Sequence, residues 1–104
     1  MKTALKNAVK TARTALEIRP EIDYPQQDET VNSRHYSFRV TAPDAADEVS
    51  VAINQGDWKP CRRASGYWWY DWTGFEPGEY EIVSRARARD GRWLISTPHE
   101  FLVR

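Results

Sequence analysis

The sequence predicts an all-β protein, an antiparallel sandwich of about seven short strands that follows one N-terminal amphipathic helix. The first observation behind this prediction is alternation: from Arg34 onward, apolar and polar residues alternate with a period of two, which is typical of strands with one buried face. The second is the spacing of turns: turn signals such as Asp90-Gly91 separate these runs about every ten residues.

Length and composition indicate a single small domain. The chain has 104 residues, enough for one hydrophobic core. Its 15 basic residues balance 15 acidic ones, and because non-specific nucleic-acid binding normally needs a basic excess, we expect no nucleic-acid partner. Cys61 is the only cysteine, so no disulfide framework is expected. No apolar run approaches the ~20 residues of a membrane span and the N-terminus lacks a secretory pattern, so we expect a soluble, cytoplasmic protein.

Residues 1–18 form the predicted helical unit. Apolar residues recur at helical spacing from Thr3 to Glu17, Thr3 fits the N-cap position, and Pro20 stops the helix. The apolar stripe is mostly alanine, and its bulky members are Leu5, Val9 and Leu16. Three roles stay open for this stripe: packing on its own domain, contact in a dimer, or binding at a membrane surface.

Residues 19–33 are predicted to connect the helix to the sandwich, because they are polar and contain two prolines. A short edge strand within 22–31 is an option, anchored by Ile22, Tyr24 or Val31. The sandwich itself is predicted to span residues 34–104. Its strands are expected at Tyr36 to Val40, Val49 to Ile53, Trp58 to Arg62, Tyr67 to Trp72, Tyr80 to Ala88, Arg92 to Ser96 and Glu100 to Val103.

The stretch from Gly66 to Gly78 is the richest in aromatic residues. With a period of two, Trp68, Tyr70 and Trp72 share one face and are predicted to fill the core. The opposite face carries Tyr67, Trp69 and Asp71, so these aromatic rings must be covered or used for binding.

From residue 29 to the C-terminus the chain resembles the immunoglobulin-like early-set (E-set) β-sandwiches. The motifs most similar to the dimerisation domain of molybdenum-cofactor sulfite oxidases are Val49-x-Val51, Trp58, Trp68-x-Tyr70-x-Trp72, Pro77-Gly78, Arg85-Ala86-Arg87 and Asp90-Gly91. The resemblance implies an immunoglobulin-like fold. It does not imply the enzymatic activity of that family, because no part of a molybdopterin-binding domain is present.

A weaker resemblance links the chain to glycogen-binding, isoamylase N-terminal-like carbohydrate modules. It lies in GDWKP (56–60), PGEYE (77–81) and DGRWL (90–94). In such modules tryptophans of the first and last segments stack on glucose rings, which here implies Trp58 and Trp93, with Trp69 and Tyr67 as further candidates.

Three arginines alternate along the predicted strand Tyr80 to Ala88 and its end: Arg85, Arg87 and Arg89. In an immunoglobulin-like sandwich we expect this strand to pair with the aromatic strand, so that the guanidinium groups stack over Trp69 and Tyr67. An exposed surface of arginine and aromatic residues for a partner is the competing hypothesis.

No catalytic or metal-binding constellation is recognisable. His35, Cys61 and His99 are far apart in sequence and lack metal-ligand spacing, while Glu79 and Glu81 are typical of a solvated strand face. We therefore expect no enzyme activity, metal or cofactor.

The sequence favours a non-catalytic module that binds a protein partner or self-associates. Its predicted interaction surface comprises Arg85, Arg87, Arg89, Leu5, Val9 and Leu16. The alternative is an α-glucan-binding module that uses Trp58, Trp69, Trp93 and Tyr67.

Overall fold

The computed structural model describes residues 19–104, so the helix predicted at 3–17 lies outside the described residues. Ten strands follow in chain order: β1 Glu21–Tyr24, β2 Glu29–Val31, β3 His35–Thr41, β4 Glu48–Ile53, β5 Lys59–Pro60, β6 Arg62–Ala64, β7 Tyr67–Thr73, β8 Gly78–Arg87, β9 Trp93–Ile95 and β10 His99–Val103.

The strands form two sheets, which confirms the predicted β-sandwich. Sheet A has the order β1-β3-β7-β6, and all of its pairs are antiparallel. Sheet B has the order β2-β10-β8-β4-β5, and β2 runs parallel to β10. Strand β4 occupies one side of β8, while β10 and then β9 pair along the other side, at Gly78–Ile82 and Arg85–Arg87.

The chain changes sheet five times, from β1 to β2, β2 to β3, β3 to β4, β5 to β6 and β7 to β8. Between β1 in sheet A and β2 in sheet B lies the cis peptide bond Tyr24-Pro25. The prediction of a single strand from Trp58 to Arg62 is wrong, because this segment contributes to two strands that belong to different sheets. Strand β5 pairs with β4, and β6 pairs with β7. Cys61 is the crossing point, where its N–H donates to Val49 O at 2.8 Å.

The core is an aromatic cluster between the sheets. Trp68 and Trp72 are buried and Tyr70 packs against the same cluster, while Asp71 is exposed, so the predicted faces of the aromatic strand are confirmed. Phe38 is fully buried, with its ring centroid 5.2 Å from that of Trp72 and 6.0 Å from that of Phe101 in sheet B.

The predicted pairing of the arginine-bearing strand with the aromatic strand is wrong. Strand β7 pairs with β3 and β6, whereas β8 pairs with β4, β9 and β10. The two strands instead form opposite walls of the core, where Tyr80 of β8 meets Trp72 of β7 edge to face with centroids 4.9 Å apart. The arginines of β8 therefore lie on the outer surface of sheet B, away from Tyr67 and Trp69 on the outer surface of sheet A.

We predict that Phe38→Ala lowers the free energy of unfolding by about 3–5 kcal/mol, because it removes a ring that touches both sheets and leaves a cavity. Phe38→Leu should cost less, since it keeps most of the volume. Urea unfolding followed by tryptophan fluorescence measures both, with the exposed Thr73→Ala as control, expected within about 0.5 kcal/mol of wild type. A loss below 1 kcal/mol in Phe38→Ala contradicts this account of the core.

Candidate interaction surfaces

The outer surface of sheet B, called face B, carries the outward side chains of its central strands. Burial alternates along β8, so Tyr80, Ile82, Ser84 and Ala86 point inward and the residues between them point outward. Face B comprises Glu79, Glu81, Val83, Arg85 and Arg87 of β8, Glu48, Ser50 and Ala52 of β4, Trp93 and Ile95 of β9, Glu100 and Leu102 of β10, and Trp58, which precedes β5. Ser50 and Ala52 are buried, each only 3% exposed.

Two tryptophans of face B enclose one arginine. The guanidinium carbon of Arg85 lies 3.8 Å from the ring centroid of Trp93 and 4.4 Å from that of Trp58. Arg85 Nε is buried and has no hydrogen-bond partner within residues 19–104. A partly desolvated cation of this kind gains roughly 1–2 kcal/mol from each indole face. This Trp–Arg–Trp stack joins the two tryptophans that the sequence singled out.

Strand β9 exposes apolar side chains beside the stack. Trp93 is 36% exposed and Ile95 is 49% exposed. Trp93 pairs with Arg87, and Ile95 pairs with Arg85, so all four share face B, while Leu94 points to the other side. Exposed large apolar residues next to arginine are typical of protein interfaces.

The main-chain edge of β9 is open. Ser96 N donates to Ser84 O, and Ala88 N donates to Arg92 O. These two hydrogen bonds lie on either side of the Ala86–Leu94 pair. In this antiparallel pattern the N–H and C=O groups of Trp93 and Ile95 point away from β8. No strand within residues 19–104 pairs with that side of β9. An open strand edge of this kind is able to accept a strand from another chain.

The opposite end of face B is acidic. A shallow concavity of about 540 Å³ there is lined by Asp28, Asn54, Glu79, Glu81, Glu100 and Leu102, among others. None of the carboxylates of Glu79, Glu81 and Glu100 forms an ion pair within residues 19–104. Face B therefore carries unpaired glutamates at one end, while at the other end Arg85 lies between two tryptophans and Arg87 is paired with Asp47 and Glu48.

The remaining arginines of the predicted surface differ in their surroundings. Arg87 contacts Asp47 at 3.1 Å and Glu48 at 3.5 Å, and the hydrogen bond to Asp47 raises the pKa of its guanidinium. Arg89 lies beyond the end of β8 and is exposed, so it is not a member of the strand. Leu5, Val9 and Leu16 lie outside the described residues, and their role stays a prediction.

The other two candidates for glycan binding lie on sheet A. Arg39, not an arginine of β8, contacts Tyr67, with its guanidinium carbon 4.1 Å from the ring centroid. The same group lies 4.9 Å from the ring centroid of Tyr24, and its Nε is 3.1 Å from Asp23 Oδ2. Trp69 donates its indole N–H to Ala64 O at 2.9 Å. The four tryptophan and tyrosine candidates thus form two separate clusters on opposite surfaces.

An apolar groove of about 320 Å³ lies at one end of the sandwich. The β3–β4 loop contributes Pro43 and Ala46, and the end of β8 with β9 contributes Ala86, Ala88 and Leu94. The first described residues enter at the same end, because Glu21 pairs with Thr41.

The histidines and the cysteine lie apart. His35 is exposed, His99 Nδ1 lies 2.7 Å from Pro25 O, and Cys61 packs against the core. Among residues 19–104, no three His, Cys, Asp or Glu side chains are placed to hold a metal ion. The described part of the chain also contains no helix that is long and apolar enough to cross a membrane.

The sequence-based predictions did not include several residues of these surfaces. Arg39 and Ile95 belong to alternating runs, but the sequence does not reveal which sheet receives each strand. The period of two within Trp93-Leu94-Ile95 indicates that Trp93 and Ile95 share one face of their strand. The Tyr24–Arg39–Tyr67 contact joins three strands, so only the strand order brings it together.

Comparison with solved structures identifies the fold. A fibronectin(III)-like module of Clostridium thermocellum CbhA superposes with a TM-score of 0.66 at 20% identity, over 81% of this chain and 93% of that one. CopC from Methylosinus trichosporium OB3b gives a TM-score of 0.61 at 14% identity, over 82% and 93%. A Cellulomonas fimi endo-β-1,4-mannanase double mutant gives 0.55 at 20% identity, over 79% of this chain and 17% of that one.

No protein-family model matches the chain, and no curated protein matches it in sequence. The chain has an immunoglobulin-like, fibronectin III-like β-sandwich fold. Identities of this size assign no function, since one such fold serves many roles. The resemblance to the sulfite oxidase dimerisation domain and to glycogen-binding modules stays a prediction.

Burial gives Cys61 a measurable alkaline signature. Removal from solvent raises the pKa of its thiol from its ordinary value of about 8.5 to about 12. The folded state favours the protonated thiol, so the associated stability is present below the unfolded pKa and is lost as pH rises from about 9 towards 12. Burial, together with the hydrogen bond to Glu29, also raises the pKa of Tyr36, which acts in the same direction.

We predict that Cys61→Ala reduces the loss of stability between pH 8 and pH 10, measured as the shift of the urea midpoint, and that Cys61→Ala/Tyr36→Phe reduces it further. In the wild type a thiol reagent should modify Cys61 slowly at pH 8 and rapidly in urea. Fast modification of the folded protein contradicts the assigned burial.

Proposed function

We propose that the chain is a non-catalytic interaction module, and that it binds a protein partner through face B. The observation that carries this proposal is the exposed pair Trp93 and Ile95 beside the stacked Arg85. Tryptophan and arginine are enriched among the residues that contribute most to protein interfaces. Because Arg85 is held between two indoles, it loses little side-chain entropy when a partner covers it.

The open edge of β9 supports the same proposal. An added strand from a partner would satisfy the outward N–H and C=O groups of Trp93 and Ile95, while its alternate side chains would contact face B. Strand β9 has three residues, so we assign most of the binding free energy to side-chain contacts on face B and a smaller part to the edge.

Carbohydrate binding is the second candidate, and it is favoured by one observation: Trp58 and Trp93 lie together on face B. Stacking on a pyranose ring needs an open indole face. The guanidinium of Arg85 covers one face of each indole, which leaves less platform for a sugar. Trp69 and Tyr67, on sheet A, are unable to join the same site. We therefore rank protein binding above glycan binding.

The helix predicted at residues 3–17 extends the proposal. We propose that Leu5, Val9 and Leu16 form a second contact element of the same module, and that the module acts in the cytoplasm without a cofactor. The resemblance to a dimerisation domain agrees with a role in protein association.

Photo-crosslinking tests the use of face B. A photo-reactive phenylalanine analogue at Ile95 of the full chain, illuminated in the cells that produce it, should give a discrete protein adduct. The matched control carries the analogue at Thr73, on the outer surface of sheet A, and should give none. Trp93→Ala in the Ile95-labelled chain should reduce the adduct at least tenfold, because it removes the stacked indole. Equal adducts at both positions, or none at Ile95, contradict the proposal.

The glycan alternative has its own test. We predict that tryptophan fluorescence stays constant when a soluble α-glucan oligosaccharide is titrated into the wild-type protein, because Arg85 already occupies the space between the indoles. A saturable change that disappears in Trp58→Ala and in Trp93→Ala, but persists in Trp69→Ala, would assign glycan binding to face B and overturn our ranking.

A further inference from the structure

We infer that the protein bound by face B is a second copy of this chain, packed face to face with its strands antiparallel about a twofold axis at Val83. This inference rests on the proposed use of face B for protein binding. It is carried by the arrangement of charge along β8, which is complementary to itself.

The charges of β8 are placed symmetrically about Val83. Arg85 lies two residues to one side and Glu81 two residues to the other, and Arg87 and Glu79 lie four residues away on the same two sides. A twofold axis in the plane of the interface, perpendicular to β8, reverses the strand direction. It places Arg85 opposite Glu81 of the second copy, and the symmetry creates the same contact a second time.

The neighbouring strands follow the same operation. Trp93 pairs with Arg87, and Leu102 pairs with Glu79, so the axis brings Trp93 against Leu102 of the second copy. The axis also places Ile95 opposite Glu100 of the second copy, which adds another carboxylate near Arg85. Trp93 thus meets an apolar side chain and the arginines of β8 meet carboxylates, while Ile95 lies opposite Glu100.

Val83 and its cross-strand neighbour Ala52 lie at the axis. Val83 is half-buried, whereas Ala52 is buried within its own copy, so of the two only Val83 is open to contact with the second copy. The 29 residues in the six strands of sheet B, at ~3.3 Å along each strand and ~4.8 Å between strands, give a face of roughly 460 Å² from each copy. The total of roughly 900 Å² belongs to the class of small, weak interfaces, which agrees with a dimer that forms at high protein concentration.

Unpaired groups on face B favour a second copy over an unrelated partner. Within residues 19–104, Arg85 has two indoles but no carboxylate, and Glu79 and Glu81 have no cation. Arg87 is already paired with Asp47 and Glu48, so the unpaired groups are Arg85 and the glutamates. A purely acidic partner would satisfy Arg85 and repel the glutamates, and a purely basic partner would do the reverse. The face itself carries both signs in the required order, and the chain has a net charge of zero, so overall repulsion does not oppose pairing.

Charge reversal tests this arrangement in the full-length chain. Analytical ultracentrifugation of the wild type should give a dimer at concentrations of about 100 μM, weakened by added salt. Glu81→Arg should weaken the dimer at least tenfold, because it places two basic side chains together at both contacts. Arg85→Glu should do the same by placing two acidic side chains together.

Mixing the two variants is the decisive step. In a pair formed from Arg85→Glu and Glu81→Arg, both contacts again join an acidic to a basic side chain, so association should return to within a few-fold of wild type. The double variant Arg85→Glu/Glu81→Arg should also self-associate. Arg62→Glu, on the outer surface of sheet A, makes the same charge change and should leave the dimer unaffected. Circular dichroism checks that each variant is folded.

The outcomes separate this inference from the proposed function. A wild-type monomer at about 100 μM, or a mixture that fails to associate, overturns the second copy and its register. An adduct from the analogue at Ile95 with twice the mass of the chain supports the inference. An adduct of any other mass overturns it but keeps protein binding through face B. A monomer without any adduct contradicts both.

Discussion

The contact of Phe38 with Trp72 and Phe101 is the constraint on which the rest of this molecule depends. These rings come from β3, β7 and β10, and they join the two sheets at the centre of the core. Once they face inward, the pleat fixes the direction of every other side chain on those strands. A shift of one residue in the register of β7 would place Tyr67, Trp69 and Asp71 inside and expose Trp68 and Trp72.

The outer surfaces are a direct consequence of that register. Each sheet places an arginine among outward aromatic rings: Arg39 with Tyr24 and Tyr67, and Arg85 with Trp58 and Trp93. The two clusters differ in charge. Asp23 neutralises Arg39 at 3.1 Å, whereas Arg85 has only indole partners within residues 19–104. A cluster whose arginine is paired with a carboxylate stabilises the domain, while an arginine without a carboxylate is available for a partner. This contrast favours face B as the binding surface.

Much of the fold was predictable because period-two alternation is a local property. The faces of β7 and the turn at Asp90-Gly91 follow from residues within a few positions of one another. Sheet membership is not local. No residue near Cys61 indicates that β5 and β6 belong to different sheets. No residue near Arg85 indicates that β8 does not pair with β7. The predicted stacking of arginine on tryptophan was therefore right in kind but wrong in its partners, since Arg85 contacts Trp58 and Trp93.

Bipolar charge on one face is compatible with both solubility and specific association. A face that carried only Trp58, Trp93 and Ile95 would associate without a defined orientation, and an open β9 edge beside it would favour aggregation. Charges of opposite sign at the two ends oppose every parallel alignment, because arginine would then meet arginine and glutamate would meet glutamate. They favour the antiparallel alignment, with Val83 at the middle of β8. The same outward alternation that keeps β8 hydrated in the isolated domain thus specifies one orientation for its association.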